Sequence, residues 1–300
     1  MKLKQIRPIG KRGVLFTFEF GDCVYLIKTD KVNILCDTSE GEEEMSYVKT
    51  FLLENNLDDK PLYIFNSHSD YDHIWGNNAF PDSNIIAHKY CRQRILEKGE
   101  YDLIVRNQKN ITLKLPNITF TDTLCLADIG IEFVYTPGHT VCSASCIDYI
   151  DKVIYVGDNL EAPLPYLNHL VLDDYLYTLD YLKNLSCDYI ISTHSGIVDK
   201  SLIDEHLLYL EDVQSGKYLT FSNEYMPIRH MQNMKNLLLL QHEIKMKKVI
   251  GKNFNYISYK NNLWNYISER HNDKNIRFWD ISQISYQELK DYLETYIFDK

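Results

Sequence analysis

Two imidazoles and two carboxylates stand within one short segment, His68-Ser69-Asp70-Tyr71-Asp72-His73, directly after the apolar run Leu62 to Phe65. Such groups cannot all face a core unpaired, because each would lose its hydration without compensation. Grouped at a strand end, they form a ligand set for a divalent metal. The side chains of the neighbours Asp72 and His73 diverge, whereas His68 and Asp70 point the same way if the chain stays extended. One loop can therefore serve two metal positions side by side. Three later apolar runs close in the same manner. Val134 to Tyr135 leads into Pro137-Gly138-His139-Thr140, Val153 to Val156 into Gly157-Asp158, and Ile190 to Ser192 into Thr193-His194. In layered α/β proteins that C-terminal edge of the strands is where sites sit. Alone, a strand-end His is more often structural and a Gly-Asp pair is usually a turn; the ordered conjunction carries the reading.

These residues need elements to hold them. Val14 to Phe20 and Cys23 to Lys28 read as a hairpin around Gly21-Asp22. Val32 to Cys36 is a third short run and ends at Asp37-Thr38-Ser39. Glu42 to Asn55 has helical periodicity, with Met45, Val48, Phe51 and Leu52 on one face. Asn84 to Ala87 reads as a strand, followed by a helix reaching about Lys98. The pattern then turns to strands over Ile111 to Leu115, Ile131 to Tyr135, Ser145 to Tyr149 and Lys152 to Val156. Asp173 to Leu185 and Leu202 to Val213 read as helices, with a strand over Tyr189 to Ser192 between them. Two strand-rich blocks, each finished by helices, predict two sheets covered by helices on the outside.

The ordered set Asp37, His68/Asp70/Asp72/His73, His139, Asp158 and His194 resembles the metallo-β-lactamase superfamily. Its pattern is an early Asp, then HxHxDH, a TPGHT-type His, a GD-type Asp and a last His. The resemblance covers roughly residues 1–217. It implies an α+β fold, a four-layer αββα sandwich with a dinuclear metal site between the sheets. By this resemblance His68, Asp70 and His139 bind one metal, and Asp72, His73 and His194 the other. Asp158 bridges them, and Asp37 orients a ligand from behind. The implied cofactors are two divalent ions, zinc first, with iron or manganese as alternatives. The implied activity is a metal-dependent hydrolase, in which metal-generated hydroxide attacks an ester, thioester, lactone or phosphodiester. Asp72 and Asp158 are its candidate catalytic carboxylates.

The sequence departs from that pattern at Asp70, which stands where the second His belongs. Either the first site is degenerate and one metal remains on Asp72, His73 and His194, or the site is tuned toward iron or manganese. A carboxylate still reaches a metal and the other ligands are all present, so Asp70 is expected to be a retained ligand. A second departure is Cys142, where the family often has Gly; a small buried thiol is the expected reading. The competing function is a non-haem di-iron redox protein, because flavodiiron proteins also carry a carboxylate at the position of Asp70, as Glu. The chain beyond residue 217 is too short for their FMN domain. A nuclease of the β-CASP type would insert a domain between Asp158 and His194, which are only 36 residues apart. There is no GxSxG elbow, P-loop or GxGxxG. His88, His206, His230, His242 and His271 fall outside the pattern. His169, Tyr166 and Asn168 follow Asp158 closely and are candidates to line a cleft.

Composition bounds the remaining choices. The 300 residues carry 32 basic and 42 acidic groups, a formal charge of −10. Residues 218–300 hold 12 basic and 9 acidic residues, so the charge of about −13 lies in the first 217. An acidic body opposes nucleic acid and anionic membranes, leaving a small-molecule substrate as the expected partner. Met1 to Gly10 has no apolar signal region, and no apolar run approaches the ~20 residues of a membrane span. Seven cysteines without a CxxC pair point to free thiols in a reducing cytoplasm. Residues 1–217 are expected to form the catalytic domain. Residues 218–300 are expected to form a mainly helical extension that caps the cleft or makes a homodimer interface. In it, Asn223 to Val249 reads as helix. Phe254 to Tyr259 and Leu263 to Ile267 read as a hairpin or a helix pair, and Ser285 to Glu288 as a capping box. Trp264 and Trp279 suggest that the extension packs.

Overall fold

A computed structural model of the chain describes residues 1–217, 219–271 and 278–296, with only the backbone at 278–280. Two compact units emerge. The first comprises Met1–Pro165 and Leu172–Lys217; the second comprises Tyr166–Val171 and Tyr218–Lys300.

The first unit holds two sheets. β1 (Leu3–Ile9), β2 (Gly13–Phe18), β3 (Cys23–Lys28) and β4 (Asn33–Cys36) form an antiparallel meander. The chain then crosses over through α1 (Glu42–Glu54) to β5 (Leu62–Asn66). It continues through α2 (Tyr71–Ile74) to β6 (Asn84–His88) and through α3 (Lys89–Val105) to β7 (Ile118–Phe120). Strands joined by such crossovers run parallel, as β4 to β7 do. The seven strands lie in sequence order. The second sheet has six strands in the order β13-β12-β11-β10-β9-β8. They are β8 (Thr123–Leu126), β9 (Ile131–Tyr135), β10 (Ala144–Asp148), β11 (Val153–Gly157), β12 (Tyr189–Ser192) and β13 (Gly196–Val198). Helix α4 (Leu172–Asn184) makes the parallel β11–β12 crossover, and α5 (Ser201–Ser215) follows β13 and packs on α4.

The two sheets meet face to face. Ile34, Phe65 and Ile86 from the first pack with Phe133, Cys146, Tyr155 and Ile191 from the second. Phe65 and Phe133 stack with ring centroids 4.7 Å apart. The alternate residues Leu35, Ile64 and Ile85 point the other way, onto Met45, Val48 and Leu52 of α1. This period of two places each strand's two rows of apolar side chains in different layers. Arg12, in the β1–β2 turn, clasps Asp148 at the end of β10, its Nε donating at 2.8 Å, and so pins one sheet to the other. The arrangement is the layered α+β sandwich expected.

Some details differ from the sequence reading. Ile111 to Leu115 is not a strand. Pro116 follows it and disfavours a regular ladder, and its apolar side chains pack instead beside Trp75, Cys91 and Ile95. Lys114 is tied down by the carbonyls of Phe80 and Pro81, both at 2.6 Å. Helix α3 runs one to two turns beyond Lys98. The edge strands β1 and β13 carry half-exposed or exposed side chains and gave no apolar signal.

The second unit has its own core, built from α6 (Tyr225–Ile250), α7 (Tyr256–Arg270) and α8 (Tyr286–Thr295). Leu239, Met246, Leu263, Trp264, Ile267, Leu289 and Leu293 form it. The stretch read as a hairpin or helix pair is the single helix α7, because Tyr259, Leu263 and Ile267 recur every four residues on its buried face. Ser285 and Glu288 close the capping box of α8. Trp279's side chain lies outside the described residues. No helix among the described residues is long and apolar enough to cross a membrane.

Candidate metal centre

Four strand ends deliver the polar residues. After β5 the chain bends through Ser67, His68 and Ser69, and Asp70, extended itself (φ −73°, ψ 149°), precedes the first turn of α2. His68 Nε2 and Asp70 Oδ2 come within 3.6 Å of each other across this bend, and Asp72 and His73 are carried by the helical turn. His139 sits between β9 and β10, Asp158 follows β11 and His194 follows β12. Gly157 has φ +57°, and a Cβ there would lie 2.6 Å from Ser67 Oγ. Only glycine lets β11 end this close to the His68 loop.

The seven sequence-predicted ligands converge. Asp158 Oδ2 lies 3.3 Å from both His73 Nε2 and His194 Nε2, 3.6 Å from His68 Nε2 and 3.7 Å from His139 Nε2. Asp70 Oδ2 is 3.6 Å from His68 Nε2 and 3.5 Å from His139 Nε2. Asp72 stands 3.5 Å from His194 Nε2 and 3.9 Å from His73 Nε2. Three donor groups result: His68/Asp70/His139, His68/His73/Asp158 and Asp72/His73/His194, each with its ligand atoms within 4.8 Å of one another.

Behind the donors lies a layer of positioning bonds. Asp37 accepts from Ser67 N (2.7 Å), Ser67 Oγ (2.6 Å) and Tyr155 OH (2.8 Å), and its Oδ2 meets His73 Nδ1 at 2.7 Å. It adopts a left-handed backbone (φ 59°) to do so. Ser67 Oγ meets His68 Nδ1 at 3.0 Å. Asp22 Oδ1 meets His194 Nδ1 at 2.7 Å. Asn159 accepts from the His139 backbone N at 2.9 Å. The sequence reading anticipated Asp37 but missed Asp22, Ser67 and Asn159. Asp22 is 172 residues from its partner, and a Gly-Asp turn gives no sign of it.

The electrostatics favour cations at the centre. Burial opposes charge on Asp158, yet His194 and His73 hold its carboxyl well below the usual carboxylate range. Partial burial opposes charge on Asp70 as well, but its bonds with His139 and His68 hold it well below the usual carboxylate range. Burial would discourage protonated imidazoles, but Asp158 and Asp37 raise His73 well above normal. His139 is pushed up to about 9 by Asp70 and Asp158 against the same burial. His68 Nε2, His73 Nε2 and Asp158 Oδ1 are buried without a hydrogen-bond partner, which is costly unless a cation takes those lone pairs. The residues present thus fit divalent metal ions.

The remaining candidates behave differently. Cys142 is fully buried, with its thiol donating to Ser69 Oγ at 3.4 Å, beneath the His68 loop. His88 stacks on Tyr135 and meets Thr121 O at 2.9 Å. His206 is buried and held down to about 4 by that burial. Tyr166 and Asn168 have partners in the second unit, Arg229 over the Tyr166 ring and Asn236 at 3.4 Å from Asn168.

Comparison with known proteins agrees with this geometry. A family profile described as the metallo-beta-lactamase superfamily matches residues 20–194. The chain is 26% identical over 194 residues to an Aspergillus versicolor protein named "Putative transcription factor avaE", covering 56% of this chain and 57% of that one. It is 27% identical over 141 residues to a hydroxyacylglutathione hydrolase of Pelagibacter ubique, covering 45% and 50%. It is 26% identical over 175 residues to an N-acyl homoserine lactonase of Bacillus thuringiensis, covering 47% and 67%. The chain spans about half the length of the first two relatives. The solved metallo-beta-lactamase from Pontibacter korlensis superimposes with a TM-score of 0.54 at 17% identity, over 70% of this chain and 100% of that one. At that identity the likeness speaks for the fold. The matched segment is more than half of the chain and ends on His194, the last of the seven donors, so the chain belongs to the metallo-β-lactamase superfamily.

Proposed function

We propose that this protein is a metal-dependent hydrolase with a dinuclear centre, acting on an ester, thioester or lactone. One observation carries the reading: a single oxygen of Asp158 lies within 3.7 Å of four imidazole nitrogens. That is the placement a shared carboxylate needs between His68/Asp70/His139 and Asp72/His73/His194. Divalent ions held there supply Lewis acidity and make hydroxide available near neutral pH. The chain's own residues do the rest. Asp37 and Asp22 fix the Nδ1 edges of His73 and His194, so that both Nε2 atoms face the centre. Asp72, partly exposed beside His194, can take up a proton released during attack. The relatives named for hydroxyacylglutathione and N-acyl homoserine lactone favour an acyl carbon over phosphorus as the centre attacked. Seven free cysteines, five of them buried, support a reducing, cytoplasmic setting.

The test is metal analysis of the purified full-length chain with a hydrolysis screen over lactones, thioesters and phosphodiesters. Two equivalents of metal and acyl hydrolysis are expected, both reduced in His73→Ala. A His73→Ala protein with full metal content and turnover would sink the assignment. Turnover of phosphodiesters alone would overturn the substrate class.

A further inference from the structure

Tyr71 stands between the donors Asp70 and Asp72, and its ring carries a cation. Arg106, at the C-terminal end of α3, places its guanidinium carbon 3.4 Å from the Tyr71 ring centroid. We infer that Arg106 is a specificity-determining residue that binds a second, non-reacting carboxylate on the acyl substrate. The inference rests on the hydrolase reading above and narrows its substrate class.

Three observations carry it. First, the ring ties Arg106 to the loop that bears the metal donors. Tyr71 opens α2, lies against Trp75 with ring centroids 4.9 Å apart, and packs on the buried cluster of Ile74, Cys91 and Ile95. A guanidinium over a ring fixed in this way is itself held in place. Second, its N–H groups are uncommitted. Arg106 is exposed, and among the described residues its guanidinium has no hydrogen bond or ion pair. Stacking occupies the face of the group and leaves its in-plane donors outward, a fork that matches a carboxylate through two parallel bonds. Third, Arg106 acts on the rim of the centre. Partial burial and the charges of Asp72 and Asp22 push the Glu40 carboxyl up, and Arg106 pulls it back down. Arg106 therefore shares a rim with Asp72 and with Asp22, which backs His194. It is not consumed there, because no ion pair with Glu40 forms among the described residues. The same acids disfavour a doubly charged phosphate more than a single carboxylate, since repulsion scales with charge.

The experiment gives the full-length, metal-loaded chain pairs of esters and thioesters of glutaric acid. The twins of a pair differ only in the remote group, a free carboxylate or its amide. The wild type should favour the carboxylate twin about tenfold in kcat/KM, chiefly through KM, and the preference should shrink with added salt. Arg106→Gln should bring the ratio of the twins close to one. Arg106→Lys, which keeps the charge but not the fork, should fall between them. Equal rates on both twins in the wild type, or a preference that survives in Arg106→Gln, would overturn the proposal. A phosphate-bearing twin preferred over the carboxylate one would overturn the ligand class. If neither twin is hydrolysed, the hydrolase reading fails, and calorimetry with the products glutarate and glutaramate still decides this inference. A preference for glutarate that disappears in Arg106→Gln supports it, and equal affinities in the wild type refute it.

Discussion

The two halves of the cluster share donor types but differ in what stands behind them. His73 and His194 each rest an Nδ1 against a carboxylate, Asp37 and Asp22, at 2.7 Å. His68 Nδ1 meets the Ser67 hydroxyl at 3.0 Å, and that hydroxyl donates its proton to Asp37. Asp70 is 40% exposed, against 18% for Asp72. A carboxylate behind an imidazole raises its basicity and locks its ring, which a hydroxyl does less well. On the proposed reading, the difference predicts firmer support for an ion in the Asp72 half than for one in the Asp70 half.

Removing what both halves share should erase the contrast. Asp158→Ala is expected to leave less than one metal equivalent and to cut turnover by at least about 1,000-fold, equivalent to about 4 kcal/mol. Retention of two ions would show that the halves do not depend on Asp158. The next largest effect separates them. Asp70→Ala should keep about one equivalent and Asp72→Ala should fall further, as read by metal content after dialysis against a weak chelator. Equal losses would break the asymmetry.

Acidity sharpens it in the metal-free protein. His139 is raised to about 9 through its bond with Asp70 and the charge of Asp158, against burial. A raised imidazole stabilises the fold fully below its unfolded value of about 6.5, and the contribution is lost as pH rises through about 9. The stripped chain should therefore lose up to about 3 kcal/mol between those limits, seen as a falling melting temperature. Asp70→Asn should flatten that slope; an unaltered slope would remove Asp70 as the cause. The smallest effects concern the supports. Asp37→Asn and Asp22→Asn should each weaken metal binding about 10- to 100-fold. Asp37→Asn should cost more, because Ser67 and Tyr155 also bond to Asp37. Chelator competition measures both, and a larger loss at Asp22 would reverse the ranking.

Much of this site was legible because its donors end apolar runs. His68, His139, Asp158 and His194 each follow a strand whose hydrophobic residues announce it. The core strands and most helices were legible for the same reason, their periodicity matching their burial. Elements without that signal were not. β1 is almost wholly exposed, and Ile111 to Leu115 is apolar yet packs as extended chain before Pro116. In α7 the polar Lys260-Asn261-Asn262 interrupts the four-residue spacing, so the pattern alone suits a hairpin as well as helices.

By itself the sequence determined the donor types, their order and the strand ends that carry them, since these depend on local chemistry and pattern. Only the tertiary structure decided that one oxygen of Asp158 faces four imidazoles, and that Asp22 from the first hairpin backs His194. Both depend on two sheets closing on each other, which brings residues more than 100 positions apart within hydrogen-bonding distance. No periodicity along the chain encodes such a contact; packing of Phe65, Phe133 and their neighbours between the sheets does.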